Sequence, residues 1–370
     1  MFRHTRGKLI LFLLLFVVSP LSSGCNEAND RYAPVYQIYA DVEIQYLMID
    51  EENIADIHLN LLNPSKGVEV IDFILGGDFL IVKVDSLITV SNARRSIRIV
   101  DISIGEEVGQ FSYVGRGPGE YQRIDYLLYS DGYFLIIDSN QAKILRFDDQ
   151  FNFIEELVVS DMFPQSGFTY LHPHLFFPVS NDPDYLIHKR SITQPDLKAE
   201  FHRRIISIGK QPSGYNNIIM DLNSDGELLV GSRQMPLLYF YGADSSIDFI
   251  IRLQYNDFDR EEEQTEFDEG IGQRVLNNPP PVEIETDKII RGRNILSNLI
   301  FSDNEILLIH SGMVTFLKKD GNDYQHWKSI WIFDQNGEPF YPMYMARRDS
   351  GVYLSNRFRN YVVHIDPDMI

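Results

Sequence analysis

The chain has 370 residues, with 33 Lys and Arg against 53 Asp and Glu, a formal charge of −20. A field of that sign repels nucleic-acid phosphates and anionic lipid headgroups, so no nucleic-acid partner is expected. Aromatic residues are 12% of the chain, 24 Phe and 20 Tyr, enough to fill a large core.

The first 24 residues differ in kind from the rest. Arg3, Arg6 and Lys8 form a basic start, Leu9 to Val18 is apolar, and Leu21-Ser22-Ser23-Gly24 is a small-residue segment ahead of Cys25. This is the three-part layout of a secretory signal, with an apolar part too short to span a bilayer comfortably. Cys25 is the only cysteine, so it cannot form an internal disulfide. Its position resembles a bacterial lipoprotein cleavage box, which implies lipidation of Cys25 and membrane attachment through the lipid alone. The alternative is an ordinary secretory signal with an incidental cysteine. Loss of residues 1–24 removes three basic and no acidic side chains, leaving a body still more negative. Residues 25–40 begin Cys-Asn-Glu-Ala-Asn-Asp and are expected to be a tether. An acidic start of this kind resembles export signals that carry some lipoproteins to the cell surface.

From residue 41 on, long helix-period segments are scarce. Short apolar runs separated by Asp, Asn, Gly and Ser turns predict an all-β fold. In chain order, IQYLMI at 44–49 and DIHLN at 56–60 are candidate strands ahead of the first repeat. GDFLIVKV, a turn with Arg94 and Arg95, and SIRIVDI make up residues 77–102. The fullest unit is 114–157. It gives a Gly/Pro turn, Tyr121, an apolar strand, Ser-Asp-Gly, a strand ending at Asp138, a strand ending Phe147-Asp148, and a last strand at Phe153. A copy lies around His174–His188, and 208–252 repeats the grammar with Pro212, Gly214, Tyr215 and Ser224-Asp225-Gly226. Further copies are read at 304–340 and 350–366. Leading strands are placed near Phe79, Phe134, Leu175, Leu228, Ile306 and Val352. Six units of a propeller-blade period predict a single six-bladed β-propeller over residues 41–370, with four-stranded antiparallel blades. One blade cannot bury both of its faces, so a ring of neighbours supplies the core. The sixth copy is short, so an N-terminal strand is expected to close the last blade, with 44–49 and 56–60 as the candidates.

Residues 115–154 resemble an NHL-type repeat. Gly-Arg-Gly-Pro-Gly-Glu-Tyr at 115–121 is similar to the Gly-x-Gly-Pro-Gly-Glu-Tyr signature of six-bladed β-propeller lipoproteins of the Bacteroidetes type. That resemblance implies fold and a cell-envelope location (outer membrane, periplasmic or surface face) and no particular activity.

The same stretch raises the question of a phosphate cradle. Such cradles need a helix after the glycine turn, whereas a strand pattern follows here, and Glu120 would repel an anion. Gly115, Gly117, Pro118 and Gly119 are therefore read as a blade-to-blade turn, with Tyr121 packed between blades and Arg116 as the one residue able to serve a ligand. DLNSDGE at 221–227 starts like a calcium loop but has Ser232 where a bidentate Glu is needed, so a plain hairpin is favoured. His172 and His174 are a weak metal pair with His188 or His202 as third ligand, and Pro173 between them argues for loop or channel histidines. The acidic run within 256–290, DFDREEEQTEFDE, is an insertion, a solvated helix or a cap over one face. Trp327 and Trp331 are expected on one side of a strand, in blade core.

Arg94, Arg95, Arg233, Arg357 and Arg359 recur in turns after leading strands. Such turns gather at a propeller's channel mouth, where arginines can bind a carboxylate, sulfate or acidic glycan. The functional expectation is an envelope-anchored module binding a small-molecule, glycan or protein ligand. No cofactor is expected, and no catalytic set can be aligned. The alternatives are a lyase or hydrolase acting on a glycan or peptide at the channel mouth, or a structural part of an envelope assembly.

Overall fold

A computed structural model describes residues 38–59, 68–72, 77–83, 86–91, 93–104, 106–159, 167–179, 182, 184–194, 198–203, 217–233, 235–255, 296–310, 312–334, 336–348, 351–356 and 361–366. Cys25, the segment before residue 38, the acidic insertion at 256–290, and Arg357 and Arg359 lie outside them.

The described residues form six sheets. Three strands precede the first of these sheets: β1 (Glu43–Met48), β2 (Ile54–His58) and β3 (Val68–Asp72). Blade I is β4 (Gly77–Lys83), β5 (Ser86–Ser91), β6 (Ile97–Asp101) and β7 (Glu106–Phe111). Blade II is β8 (Tyr126–Ser130), β9 (Tyr133–Asp138), β10 (Lys143–Asp148) and β11 (Phe153–Val158). Blade III is β12 (Thr169–Leu171), β13 (His174–Pro178), β14 (Tyr185–Ser191) and β15 (Lys198–Arg203). Blade IV is β16 (Ile218–Leu222), β17 (Leu228–Ser232), β18 (Leu237–Tyr241) and β19 (Ile247–Gln254). Blade V is β20 (Leu296–Ser302), β21 (Glu305–His310), β22 (Met313–Asp320) and β23 (Asp323–Phe333). Blade VI is β24 (Tyr344–Arg348), β25 (Gly351–Ser355) and β26 (Tyr361–Ile365).

Within each blade the strands pair antiparallel in chain order. The first strands β4, β8, β12, β16, β20 and β24 each touch the next, and β24 touches β4, which closes a ring of six around an axis. The fold is an all-β, six-bladed β-propeller.

The closing strand is not either of the two expected segments. Blade VI is completed by β3, antiparallel to β26 with Val363 opposite Val70. The segments at 44–49 and 56–60 instead form β1 and β2, which run parallel to β19 and β23 as fifth strands of blades IV and V. They cover outer edges that would otherwise offer unpaired backbone groups. The leading strands read from the sequence are second strands in five blades, since an innermost strand precedes each at 126–130, 169–171, 218–222, 296–302 and 344–348.

The core is divided among the seams. Ile88, Val90 and Ile97 of blade I pack with Phe134, Ile136 and Phe147 of blade II. Equivalent clusters lie at each of the next four seams, and Leu87 and Val100 meet Tyr353 and Val362 where blade VI returns to blade I. Middle strands are covered on both faces, which is why β17 (LLVGS) and β18 (LLYFY) are apolar runs without alternation and are buried throughout. Outer strands face water on one side; β11 (FIEELV) is mostly exposed.

Candidate functional site

The glycine turn holds its own anion. Glu120 folds back so that its Oε2 accepts from the Gly117 N–H at 2.7 Å. A Cβ on Gly115 would run into that carboxylate, and one on Gly119, at φ +75°, would come within 2.8 Å of the Phe153 ring. Each glycine therefore makes room for a packed side chain, and the turn binds itself rather than a phosphate. Gln141 of the β9–β10 turn donates to the carbonyls of Gly115 and Glu120, and Lys143 donates to the Gly117 carbonyl at 3.3 Å. Tyr121 is fully buried in the seam between blades I and II, its hydroxyl donating to the Arg95 carbonyl at 3.1 Å.

The turns between second and third strands share one face with the blade-to-blade connections, as the contacts of Gln141 show. Two of the arginines picked from the sequence, Arg94 and Arg233, lie in such turns. Arg94, in the β5–β6 turn at φ +53°, places Nη1 3.8 Å from the buried carboxylate of Asp125. Asp125 also receives Arg123 Nε at 3.1 Å, the Ser139 N–H at 2.9 Å and the Ser139 hydroxyl. The next residue, Tyr126, opens the innermost strand of blade II and packs on Phe168 at 4.6 Å. Burial raises its hydroxyl pKa, and the charges of Arg233 and Arg94 oppose the rise.

Arg233 follows the second strand of blade IV. Burial lowers its pKa, and Tyr126 of blade II and Tyr344 of blade VI act against that shift. The guanidinium thus lies within electrostatic reach of side chains from two other blades. Nη1 donates to the Ser297 carbonyl at 3.4 Å, the buried Nε has no hydrogen-bond partner, and among the described residues no carboxylate pairs with it. Asn217, just before β16, has its carbonyl accepting from the Arg233 N–H at 2.8 Å, and its side-chain oxygen is also buried without a partner. Among the described residues this cation has no carboxylate partner, so it can receive an anionic group.

The other sequence candidates are placed elsewhere. Arg95 and Arg116 are exposed. Arg116 donates to the Gln122 side-chain oxygen at 2.6 Å once that amide is oriented to suit its neighbours. His172 and His174 flank the β12–β13 turn. His172 bonds the Tyr170 hydroxyl at 2.7 Å, and His174 stands opposite Ser191 whereas His188 stands opposite Phe177. His202 sits in a separate cluster, its Nδ1 2.9 Å from the Tyr241 hydroxyl. Among the described residues the His172–His174 pair therefore gains no third ligand, and His188 instead meets Asp182 and Glu200. The 221–227 segment is a hairpin turn in which Asn223 Oδ1 accepts from the N–H groups of Asp225 and Glu227. Asp221 is turned to other work, accepting from Thr169 of β12 and the Phe301 N–H of β20.

Trp327 is not in blade core. The β22–β23 ladder slips between Phe316 and Leu317, which face Lys328 and His326, so Trp327 is the extra residue of a bulge. It is 37% exposed, with the Lys318 ammonium 3.0 Å from its ring centre. Trp331 is half-buried.

The residues that sequence reasoning missed, Asp125, Tyr126, Asn217, Ser297 and Tyr344, all stand at or beside the start of an innermost strand. Their common signal is position, the first residues after each blade-to-blade connection, and it becomes readable only once those strands are located.

No known family profile and no curated protein matches the chain. Among solved structures it is similar to a Bacteroides fragilis protein thought to be exported, at 11% identity and TM-score 0.48, over 85% of this chain and 99% of that one. It is also similar to a streptogramin B lyase, at 14% identity and TM-score 0.47, over 81% and 97%. A third is a DUF4221 family member from Bacteroides vulgatus, at 13% identity and TM-score 0.45, over 81% and 98%. The ring assigned here rests on this chain's own strand pairing. No helix of the described residues is long and apolar enough to cross a membrane.

Proposed function

We propose that the protein is an envelope-anchored binding module that takes an anionic ligand, a carboxylate or sulfate borne on a glycan or other small molecule, at the channel mouth. The observation that carries this reading is Arg233, a half-buried guanidinium whose Nε lacks a partner and which no described carboxylate neutralises. Arg94 adds positive potential but is partly offset by Asp125, so Arg233 is the recognising cation. Tyr126 and Tyr344 bring two other blades within electrostatic reach of that cation. The body's net negative charge favours selectivity, since only an anion able to reach this recessed cation gains enough to offset the surrounding field. The signal-like start and Cys25 support attachment through a lipid.

Binding is tested by calorimetry with uronate-containing and sulfated oligosaccharides and their neutral counterparts. An anionic ligand is expected to bind wild type, and Arg233→Gln is expected to weaken it by about 1.5–3 kcal/mol, the worth of a charge-assisted hydrogen bond. Arg116→Gln, on the exposed turn, is expected to leave binding unchanged. Equal affinity in wild type and Arg233→Gln would overturn the reading.

A further inference from the structure

A second constellation lies on the outer strands of blade III, apart from the channel. Asp182 precedes β14, His188 lies in the middle of β14, and Glu200 stands directly opposite His188 on β15. One ligating atom from each lies within 4.8 Å of the others. The His188 side chain is 4% exposed and packs edge-on against Phe177, with ring centres 6.1 Å apart. This holds Nε2 toward Asp182, whose Oδ2 is 2.9 Å away. Asp182 is fixed in turn, since its Oδ1 accepts from the N–H groups of Asp184 and Tyr185, both at 2.9 Å. Glu200 is the adaptable member, 38% exposed, with Lys198 3.0 Å from its Oε1.

We propose that Asp182, His188 and Glu200 form a site for a first-row divalent cation of the zinc class, with water completing the shell. The physical case rests on three features. An imidazole nitrogen with two carboxylate oxygens is a donor set that suits zinc better than calcium, which takes oxygen ligands alone. Ligands about 3 Å apart around a shared centre match the spacing of Asp182 Oδ2 and His188 Nε2, so little rearrangement is needed. The three donors converge from β14, from β15 and from the turn before β14, so an ion there would be held by the strand pairing itself. The ion would clip β14 to β15 and to the turn before β14, on the edge of a blade that has four strands among the described residues. The sequence does not show this set, because Asp182 and Glu200 reach His188 through the fold rather than through spacing along the chain.

The test uses the full chain stripped of metal with a chelator, titrated with Zn2+ by calorimetry and with Co2+ by visible absorption. Expected are one saturable equivalent of Zn2+, a Co2+ spectrum of low coordination number, and a rise in melting temperature with Zn2+. Glu200→Gln and His188→Gln are each expected to lose the equivalent, and His174→Gln to keep it. Glu200 is exposed enough that its variant folds even if the His188 variant does not. No saturable equivalent in wild type, or an equivalent that survives in Glu200→Gln, would overturn the site.

Discussion

His202 and His310 are buried, and burial pulls the pKa of each from the usual 6.5 down to about 3. Above pH 6.5 both are neutral whether folded or not. Below it the unfolded chain takes up protons that the folded chain refuses, so stability falls from pH 6.5 toward 3, by about 1.4 kcal/mol per pH unit for each histidine. Asp221 works in the opposite sense. Burial raises its pKa to about 6, against bonds from the Phe301 and Leu222 amides and Thr169, so its protonation favours the folded state as pH falls from 6 toward 3.8. Urea unfolding of His310→Gln and wild type from pH 7 to 4 checks the sign, and a shallower slope in the variant is expected. The glycine turn makes a separate prediction. Gly119→Ala adds a Cβ at positive φ against the Phe153 ring and is expected to cost about 1–3 kcal/mol in chemical unfolding. At this scale much of the turn was legible: Gly, Pro and Glu120 in that order argued against a phosphate cradle. What the sequence could not show is that Glu120 itself occupies the amide.

Strands with both faces covered were the easiest to find, because β9, β13, β17, β21 and β25 are continuous apolar runs bounded by turns. Of the innermost strands, β4 and β8 were read too, but β12 and β24 were not, since they are short and half-polar. TYL of β12 and YMARR of β24 carry no pattern of their own. The same shortfall misassigned the closing strand, because VEVID at β3 is no stronger a signal than IQYLM or IADIH, and only its pairing with β26 distinguishes it. Bulges erased another pattern, since the slip at Trp327 reverses the alternation that placed both tryptophans on one side. The role of β3 is testable by truncation. A chain starting at residue 66 keeps β3 but loses β1 and β2, and one starting at 75 loses all three. Hydrogen exchange is expected to find β24–β26 protected in the first and open in the second. Equal loss in both would show that β3 does not close the ring.

At the scale of the whole molecule, six similar sheets share one axis, and each seam holds its own slab of core. Ring architecture was legible from the repeat alone, since a single blade has no other way to cover both faces. The candidate site was legible only in part. Arg94 and Arg233 came from their place in recurring turns, whereas Tyr126 and Tyr344, within electrostatic reach of Arg233, come from blades distant in sequence and could be found only by closing the ring. Attachment is a separate property with its own test. Cys25→Ser is expected to shift the protein from the membrane fraction to the soluble fraction on cell fractionation, and unchanged partition would remove lipidation of Cys25 from the account.

Among the described residues, the recessed Arg233 is the proposed anion site, whereas the glycine turn is filled by Glu120. A crystal of the protein soaked in bromide separates them, because bromide is located by anomalous scattering whatever the surrounding density. The expected result is a peak beside the Arg233 guanidinium in the channel mouth and none at the Gly117 amide, where the Glu120 carboxylate already sits. A peak at Gly115–Gly119 with none at Arg233 would contradict the central claim.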